Sequence, residues 1–342
     1  MQLDEIAKPL GVFVVVVLVA LAGTAILSLV AGGGSAPDGQ NVQGQSPGQY
    51  QPDAVNEEPD PEEGNLSVGT PEGEKKILID TGHSNRFEAD ELEPMVEALA
   101  EAGHEVDVGT GSQAGGGGFG QTGYNETLQE YDALLVISPQ APFTEGERKA
   151  IDKYVGGGGR VVVLGEATQP SVSSGRFGLS LSQETFGANG MTENFGMRMG
   201  ADVLYNLDDD ATDNNFKQIY AETSSGGILT EEVDTINLDV SGYIVPVGDT
   251  DATVKYTAAE GTRALESDRT GEYPVVVRNE GVVFVADSEF VERSEVYDAD
   301  NEVFVSNIMQ FLVSGTKPDD VPESPSSDGG FGGGTPSPSS DR

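Results

Sequence analysis

The sequence predicts an α/β protein in which one N-terminal transmembrane helix precedes a mostly parallel sheet with helices on both faces and an inserted antiparallel β segment. Between residues 75 and 164, short apolar runs alternate with amphipathic helical patterns, which is typical of parallel strands joined by helices. Short segments of alternating polarity follow residue 234 and indicate antiparallel strands. A long uncharged stretch near the N-terminus indicates the membrane helix.

The uncharged stretch covers residues 10–31 and is almost wholly apolar, about the ~20 residues that a bilayer-spanning helix needs. A cleaved signal peptide is the alternative, but its apolar core usually has only ~7 to 15 residues. Lys8 precedes the stretch, and the next basic residue is Lys75. The positive-inside rule therefore predicts that residues 1–9 are cytoplasmic and that the folded domain is extracellular, anchored in the cell membrane by a single pass.

Two further segments have compositions that cannot form a core. Residues 32–74 and 316–342 are rich in Gly, Pro, Ser and polar residues, so we expect a disordered acidic linker and a disordered tail around a folded domain at 75–315. Asn65 and Asn125 each begin an N-glycosylation sequon, which is compatible with an extracellular location.

The net charge is −40, from 58 acidic and 18 basic residues, and it is spread along the whole chain. Self-repulsion of this size opposes compaction unless concentrated salt screens it, so we expect a halophilic protein. A hydrophobic content of 37% argues against a disordered acidic chain. Nucleic acid is excluded as a partner by charge, and the absence of cysteine excludes disulfides and thiolate chemistry.

The predicted elements follow in order along the domain. Strands are predicted at 77–79, 105–108, 133–137 and 160–164, helices at 89–102 and 144–155, and a glycine-rich connection at 109–123. Thr144 and Glu147 have the spacing of a capping box. Residues 167–207 carry no clear pattern beyond an ambiguous helix at 200–205. INLDV, GYIVPV and ATVKYT are predicted strands, 273–278 and 281–286 a hairpin, and 300–313 the closing helix.

Polar residues follow the predicted strands where each strand ends. The first strand, in KILIDTGHSNR, is followed by a turn-forming cluster, and in open α/β sheets such loops form the ligand crevice. If the strands have the flavodoxin-like order, one crevice collects the candidate ligand-binding residues Asp80, His83, Asn85, Ser138, Glu166, Asp287 and Ser288.

Three carboxylates and an imidazole could hold a hard or borderline divalent ion, or could pair an imidazole base with an acid. The alternative is that Asp80 and Asn85 only satisfy backbone donors in a turn. His104 is predicted to be structural, and the acidic segment 298–302 lacks the spacing of an EF-hand loop. We find no Ser-His-Asp arrangement, nucleophile elbow or dinucleotide fingerprint, so no catalytic residue is predicted.

Three sequence blocks together resemble a known family: strand-Asp-x-x-His-x-Asn, TEGERKAIDKYVGGGGRVVVLG and GVVFVADSEFVERSEVYDADNEVFVSNIMQFL. The family is catalogued as domain of unknown function 4350 (DUF4350). The resemblance implies a class I glutamine-amidotransferase-like fold of flavodoxin type, membrane anchoring and a halophilic archaeal source. It also implies a place in an assembly with MoxR-type AAA ATPases or with transporter-associated proteins. True amidotransferases carry a cysteine near the position of Glu166, so thiolate glutamine hydrolysis is not expected here.

Two functions from different classes follow. The first is a non-catalytic, membrane-tethered binding or scaffold domain of a cell-envelope or transport-associated assembly, which takes a partner or polar ligand at the strand ends. The alternative is a metal-dependent hydrolase that acts on an envelope glycan or peptide. No cofactor is predicted beyond a divalent metal, which only the second function requires.

Overall fold

The structure is a computed structural model that describes residues 64–69, 73–109, 123–175 and 178–323. Its strands are β1 (Lys76–Asp80), β2 (Glu105–Gly109), β3 (Ala133–Ile137), β4 (Arg160–Leu164), β5 (Gln169–Gly175), β6 (Gly178–Glu184), β7 (Met197–Met199), β8 (Leu204–Tyr205), β9 (Gln218–Thr223), β10 (Thr235–Asp239), β11 (Ile244–Pro246), β12 (Thr253–Ala258), β13 (Arg263–Ala264), β14 (Arg269–Thr270), β15 (Pro274–Asn279) and β16 (Val282–Val285). Its α-helices are α1 (Glu93–Glu101), α2 (Gly123–Glu130), α3 (Glu145–Gly156), α4 (Asn189–Thr192) and α5 (Asn301–Val313).

The main sheet has nine strands in the order β10-β9-β12-β15-β16-β4-β3-β1-β2. Parallel pairing links β16, β4, β3, β1 and β2. Antiparallel pairing links β16, β15, β12, β9 and β10. The three smaller sheets, β5-β6, β7-β11 and β8-β13-β14, are antiparallel as well.

The prediction of a mostly parallel sheet of flavodoxin-like or class I glutamine-amidotransferase-like type, with helices on both faces, is therefore wrong. Of the twelve strand pairings in the described chain, eight are antiparallel and four are parallel. The physical reason is the hairpin of β15 and β16, which reverses the strand direction inside the main sheet. Beyond it, β12, β9 and β10 extend the same sheet, whereas the sequence placed β10 and β12 in an inserted antiparallel segment and did not predict β9.

The core lies around the central strands. Every residue of β3 is buried, as expected for an apolar run whose two faces are both covered. Helix α5 packs on β3 and β4 and also contacts α1. It buries Phe304, Ile308 and Phe311, which recur at helical spacing. Parallel pairing places the carboxyl ends of β1, β3, β4 and β16 on one edge of the sheet.

Several local predictions are confirmed. Helix α3 begins after Thr144, and the capping box with Glu147 is present in both directions. The hairpin turns at Glu280, where φ is +50°. By contrast, the ambiguous helix at 200–205 is the two-residue strand β8, and residues 110–122 of the glycine-rich connection lie outside the described residues.

Two short segments that the sequence assigned to the linker and the tail pack on the domain. The amides of Ser67 and Gly69 donate to side chains of α5. Near the other end, Lys317 donates to the carbonyl of Gln129 in α2. No helix within residues 64–69, 73–109, 123–175 and 178–323 is long and apolar enough to cross a membrane. The predicted span at 10–31 lies outside the described residues.

Candidate functional site

The loop after β1 holds a histidine between two carboxylates. His83 Nδ1 lies 2.8 Å from Asp80 Oδ2, and its Nε2 lies 3.5 Å from Glu147 Oε2. Asp80 is the last residue of β1, and Glu147 stands in the first turn of α3, where it also completes the capping box. The imidazole therefore links the end of β1 to the start of α3.

This histidine is buried and charged. Its side chain is only 5% exposed, and its ring stacks on Phe143 with ring centroids 3.6 Å apart. Burial acts to lower the pKa of His83, but hydrogen bonds to Asp80 and Glu147 outweigh it and raise the pKa to about 9. Burial would raise the pKa of Glu147, yet the bonds from His83 and Thr144 lower it. The cluster is thus a buried imidazolium paired with carboxylates.

Asn85 and Ser138 fasten the same loop to the end of β3. Asn85 accepts a hydrogen bond from the amide of His83 and donates one to the carbonyl of Ile137. Ser138 has φ of +39°, an uncommon backbone conformation for a residue with a side chain. Its carbonyl accepts a hydrogen bond from the amide of Arg86 in this loop, and its buried hydroxyl has no partner among the described residues.

A second cluster stands at the ends of β4 and β16. Glu166 follows β4, while Asp287, Ser288 and Glu289 follow β16. One carboxylate oxygen from each of Glu166, Asp287 and Glu289 lies within 4.8 Å of the other two. The Ser288 amide donates to Glu166 Oε1 at 2.8 Å, and the Ser288 hydroxyl donates to the same oxygen. The Glu289 amide donates to Asp287 Oδ1 at 2.7 Å.

Each of the three carboxylates has an oxygen atom without a hydrogen-bond partner in the described chain. Asp287 is fully buried, and Oδ2 of Asp287 and Oε2 of both glutamates have no hydrogen-bond partner in the described chain. Burial, followed by repulsion from the neighbouring carboxylates, raises the pKa of Asp287 and of Glu166 well above their usual range. Burial also raises the pKa of Glu289. Such a cluster favours either protons or a cation at its centre.

The seven candidate residues therefore fall into two groups at one sheet edge. Asp80, His83, Asn85 and Ser138 belong to the histidine cluster, and Glu166, Asp287 and Ser288 belong to the carboxylate cluster.

Sequence reasoning did not select two residues that complete these groups. Glu147 was assigned only to the capping box, and nothing local connects it with His83. Glu289 stands two residues beyond Asp287 in the same strand-end segment, a signal that could have found it.

Comparison with known proteins gives a family and a fold. The model of a family described as Domain of unknown function (DUF4350) matches residues 95–309, more than half of the chain. No curated protein sequence matches the chain.

Among solved structures, the mmIFT52 N-terminal domain is similar at a TM-score of 0.51 and 12% identity, over 69% of this chain and 97% of that one. A putative ThuA-like protein from Bacteroides uniformis has a TM-score of 0.41 and 12% identity, over 74% of this chain and 97% of its own. Cytoplasmic protein STM3548 from Salmonella typhimurium has a TM-score of 0.41 and 17% identity, over 71% and 100%.

Proposed function

Because this chain belongs to the DUF4350 family, whose description names no function, we propose its function from the geometry of its strand ends. The protein is a non-catalytic binding or scaffold domain, tethered to the membrane by residues 10–31, in a cell-envelope or transport-associated assembly. The observation that carries this proposal is the carboxylate cluster of Glu166, Asp287 and Glu289, whose buried oxygens lack partners. A cluster of this kind suits a ligand or partner that supplies positive charge or hydrogen-bond donors.

The histidine cluster supports binding over catalysis. A general base needs a free lone pair within reach of its substrate. Both nitrogens of His83 already face carboxylates, and the ring is covered by Phe143. With its pKa raised to about 9, the imidazole is protonated at neutral pH. We therefore assign His83 to holding the loop after β1 in place.

Co-purification from membranes in concentrated salt tests the proposal. The full chain is compared with a Glu166→Gln, Asp287→Asn double variant of equal expression and unchanged circular dichroism. We expect at least one protein that is retained by the wild type and reduced at least tenfold with the variant. An identical set of retained proteins contradicts the proposal. Retention of a MoxR-type ATPase would in addition reverse the predicted topology, because that partner is cytoplasmic.

A metal-dependent hydrolase is the second candidate, and the same carboxylate cluster favours it. A cation held there would activate a water molecule or polarise a carbonyl oxygen of an envelope glycan or peptide. The test is release of product from labelled cell-envelope glycans and peptides in the presence of Mn²⁺. Turnover by the wild type that Asp287→Asn abolishes would establish the hydrolase and replace the scaffold proposal.

A further inference from the structure

We propose that Glu166, Asp287 and Glu289 form a binding site for one divalent cation of the oxygen-preferring class, with Ca²⁺ as the best fit. This inference rests on the proposed function, because it names the ligand of the same strand-end cluster. Four observations support it: the separation of the oxygens, their lack of partners, the bonds that orient two of the carboxylates, and the chemistry of the donor set.

The separation of the oxygens suits coordination. Three atoms that are mutually within 4.8 Å share a point no farther than about 2.8 Å from each, which compares with ~2.3–2.6 Å for Ca²⁺–oxygen bonds. The three carboxylate oxygens therefore need to move by only a few tenths of an ångström to coordinate Ca²⁺. Mg²⁺ bonds are ~2.0–2.1 Å and demand near-ideal octahedral geometry, so Mg²⁺ needs a larger contraction.

The missing hydrogen-bond partners of these carboxylates are an observation independent of the distances between their oxygens. Asp287 is 0% exposed, and its Oδ2 accepts no hydrogen bond in the described chain. A buried carboxylate normally pairs with a cation, accepts hydrogen bonds or gives up its charge. Oε2 of Glu166 and Oε2 of Glu289, in the same cluster, also have no hydrogen-bond partner in the described chain. A divalent ion at the centre would satisfy all three side chains at once.

The surrounding bonds leave coordinating atoms available. Ser288 occupies only Oε1 of Glu166, and the Glu289 amide occupies only Oδ1 of Asp287. Hydrogen bonds of this kind orient metal ligands and reduce the cost of ordering them. The residue before Glu166 is closely surrounded, since a Cβ on Gly165 would meet the Met199 and Phe284 side chains at 2.5 and 3.0 Å.

The donor set indicates which ions bind. All three ligands are carboxylates, which suit Ca²⁺, Mg²⁺ and Mn²⁺ better than ions that prefer nitrogen or sulfur. The imidazole of His83 is already engaged by Asp80 and Glu147 in the other cluster. Glu289 is partly exposed, so an ion and its remaining water ligands can approach from that side. We therefore expect both Ca²⁺ and Mn²⁺ to bind at this site.

Calorimetric titration with Ca²⁺, and electron paramagnetic resonance with Mn²⁺, test the site. The full chain is stripped with a chelator, freed of it and kept in multimolar KCl, which screens non-specific attraction to a chain of net charge −40. We expect one equivalent of Ca²⁺ to bind with saturation. Asp287→Asn and, separately, Glu289→Gln should each weaken this binding at least tenfold. Because Asp287 is buried, the partly exposed Glu289 provides the variant that keeps the fold.

Asp298→Asn is the matched control, since this acidic side chain lies in another carboxylate-rich segment and accepts a hydrogen bond from Asn237. It should leave Ca²⁺ affinity unchanged. Absence of saturable binding, or equal affinity in the wild type and both site variants, overturns the inference and leaves the cluster to be neutralised by protons. Partner capture together with an absence of saturable Ca²⁺ binding overturns only the cation site. Cation binding without partner capture overturns only the proposed function.

Discussion

Replacing His83 by glutamine is the sharpest test of the histidine cluster. Glutamine keeps hydrogen-bonding atoms but removes the positive charge between Asp80 and Glu147, which are 0% and 4% exposed. Two buried carboxylates then lose the cation that they share. Breaking a buried ion pair in this way costs ~3–5 kcal/mol of unfolding free energy. We expect a loss of this size near pH 7.

The pH dependence gives a second, independent magnitude. The pKa of His83 is about 9 in the folded protein, against 6.5 for an ordinary histidine. Because the folded state holds this proton more tightly, its contribution is fully present below pH 6.5 and is lost as pH rises through about 9. The difference corresponds to roughly 3–4 kcal/mol at ~1.4 kcal/mol per unit of pKa. The variant should lack this part of the pH dependence.

Denaturant unfolding of the full chain from pH 6 to 10, in concentrated salt, measures both effects. Glu292 and Glu295, whose pKa values burial and neighbouring carboxylates raise to about 7 and about 8, add a falling slope of their own. The informative quantity is therefore the difference between wild type and variant. His104→Gln is the matched control, because burial lowers the pKa of His104 and it stays neutral above pH 7. Parallel wild-type and His83→Gln curves would refute the paired imidazolium.

Three further predictions concern the helices and the cation. Thr144→Ala removes the cap of α3 and should cost ~1 kcal/mol in denaturant unfolding, whereas the exposed Thr270→Ala should change stability by less than ~0.5 kcal/mol. Phe304→Ala removes a fully buried ring that packs against Tyr256 and should cost ~3–5 kcal/mol, while the exposed Phe216→Ala should cost less than ~1 kcal/mol. Ca²⁺ at a hundred times its Kd should raise the unfolding free energy by ~2.7 kcal/mol, and chelation should reverse the gain. An effect of Ca²⁺ that persists in Glu289→Gln would contradict that assignment.

The sequence predicted the parallel strands well and the overall sheet poorly. β1, β3 and β4 are apolar runs that must be buried on both faces, so composition alone identifies them. The pairing of β9 with β10 and β12 could not be predicted in this way. Alternation of polar and apolar residues indicates an antiparallel strand with one buried face, but it does not identify the partner strand. Their place in the main sheet is decided by the β15–β16 hairpin and by contacts distant in sequence.

The candidate site likewise contains residues that the local sequence identifies and residues that only long-range packing brings in. Residues that follow directly from strand ends, such as Asp80, Glu166 and Asp287, could be selected because the parallel part of the sheet brings those ends to one edge. Glu147 could not, because it approaches His83 from the first turn of α3 and the contact depends on how that helix packs. The pairing of a buried carboxylate with a positive charge likewise depends on tertiary contacts. The order of residues in the sequence does not indicate these contacts.

Both clusters contain buried carboxylates, but they differ in whether a positive charge of the chain lies beside them. With 58 acidic residues and only 18 basic ones, the chain has few cations of its own to place beside buried carboxylates. At the end of β1 it uses one of its two histidines, and the raised pKa of His83 keeps that charge in place. At the ends of β4 and β16, three carboxylates converge, yet Oδ2 of the fully buried Asp287 is left without a partner among the described residues. Since the first cluster is complete and the second is not, a ligand that brings positive charge should act on the second, and variants of Glu289 should alter binding where variants of His83 alter stability.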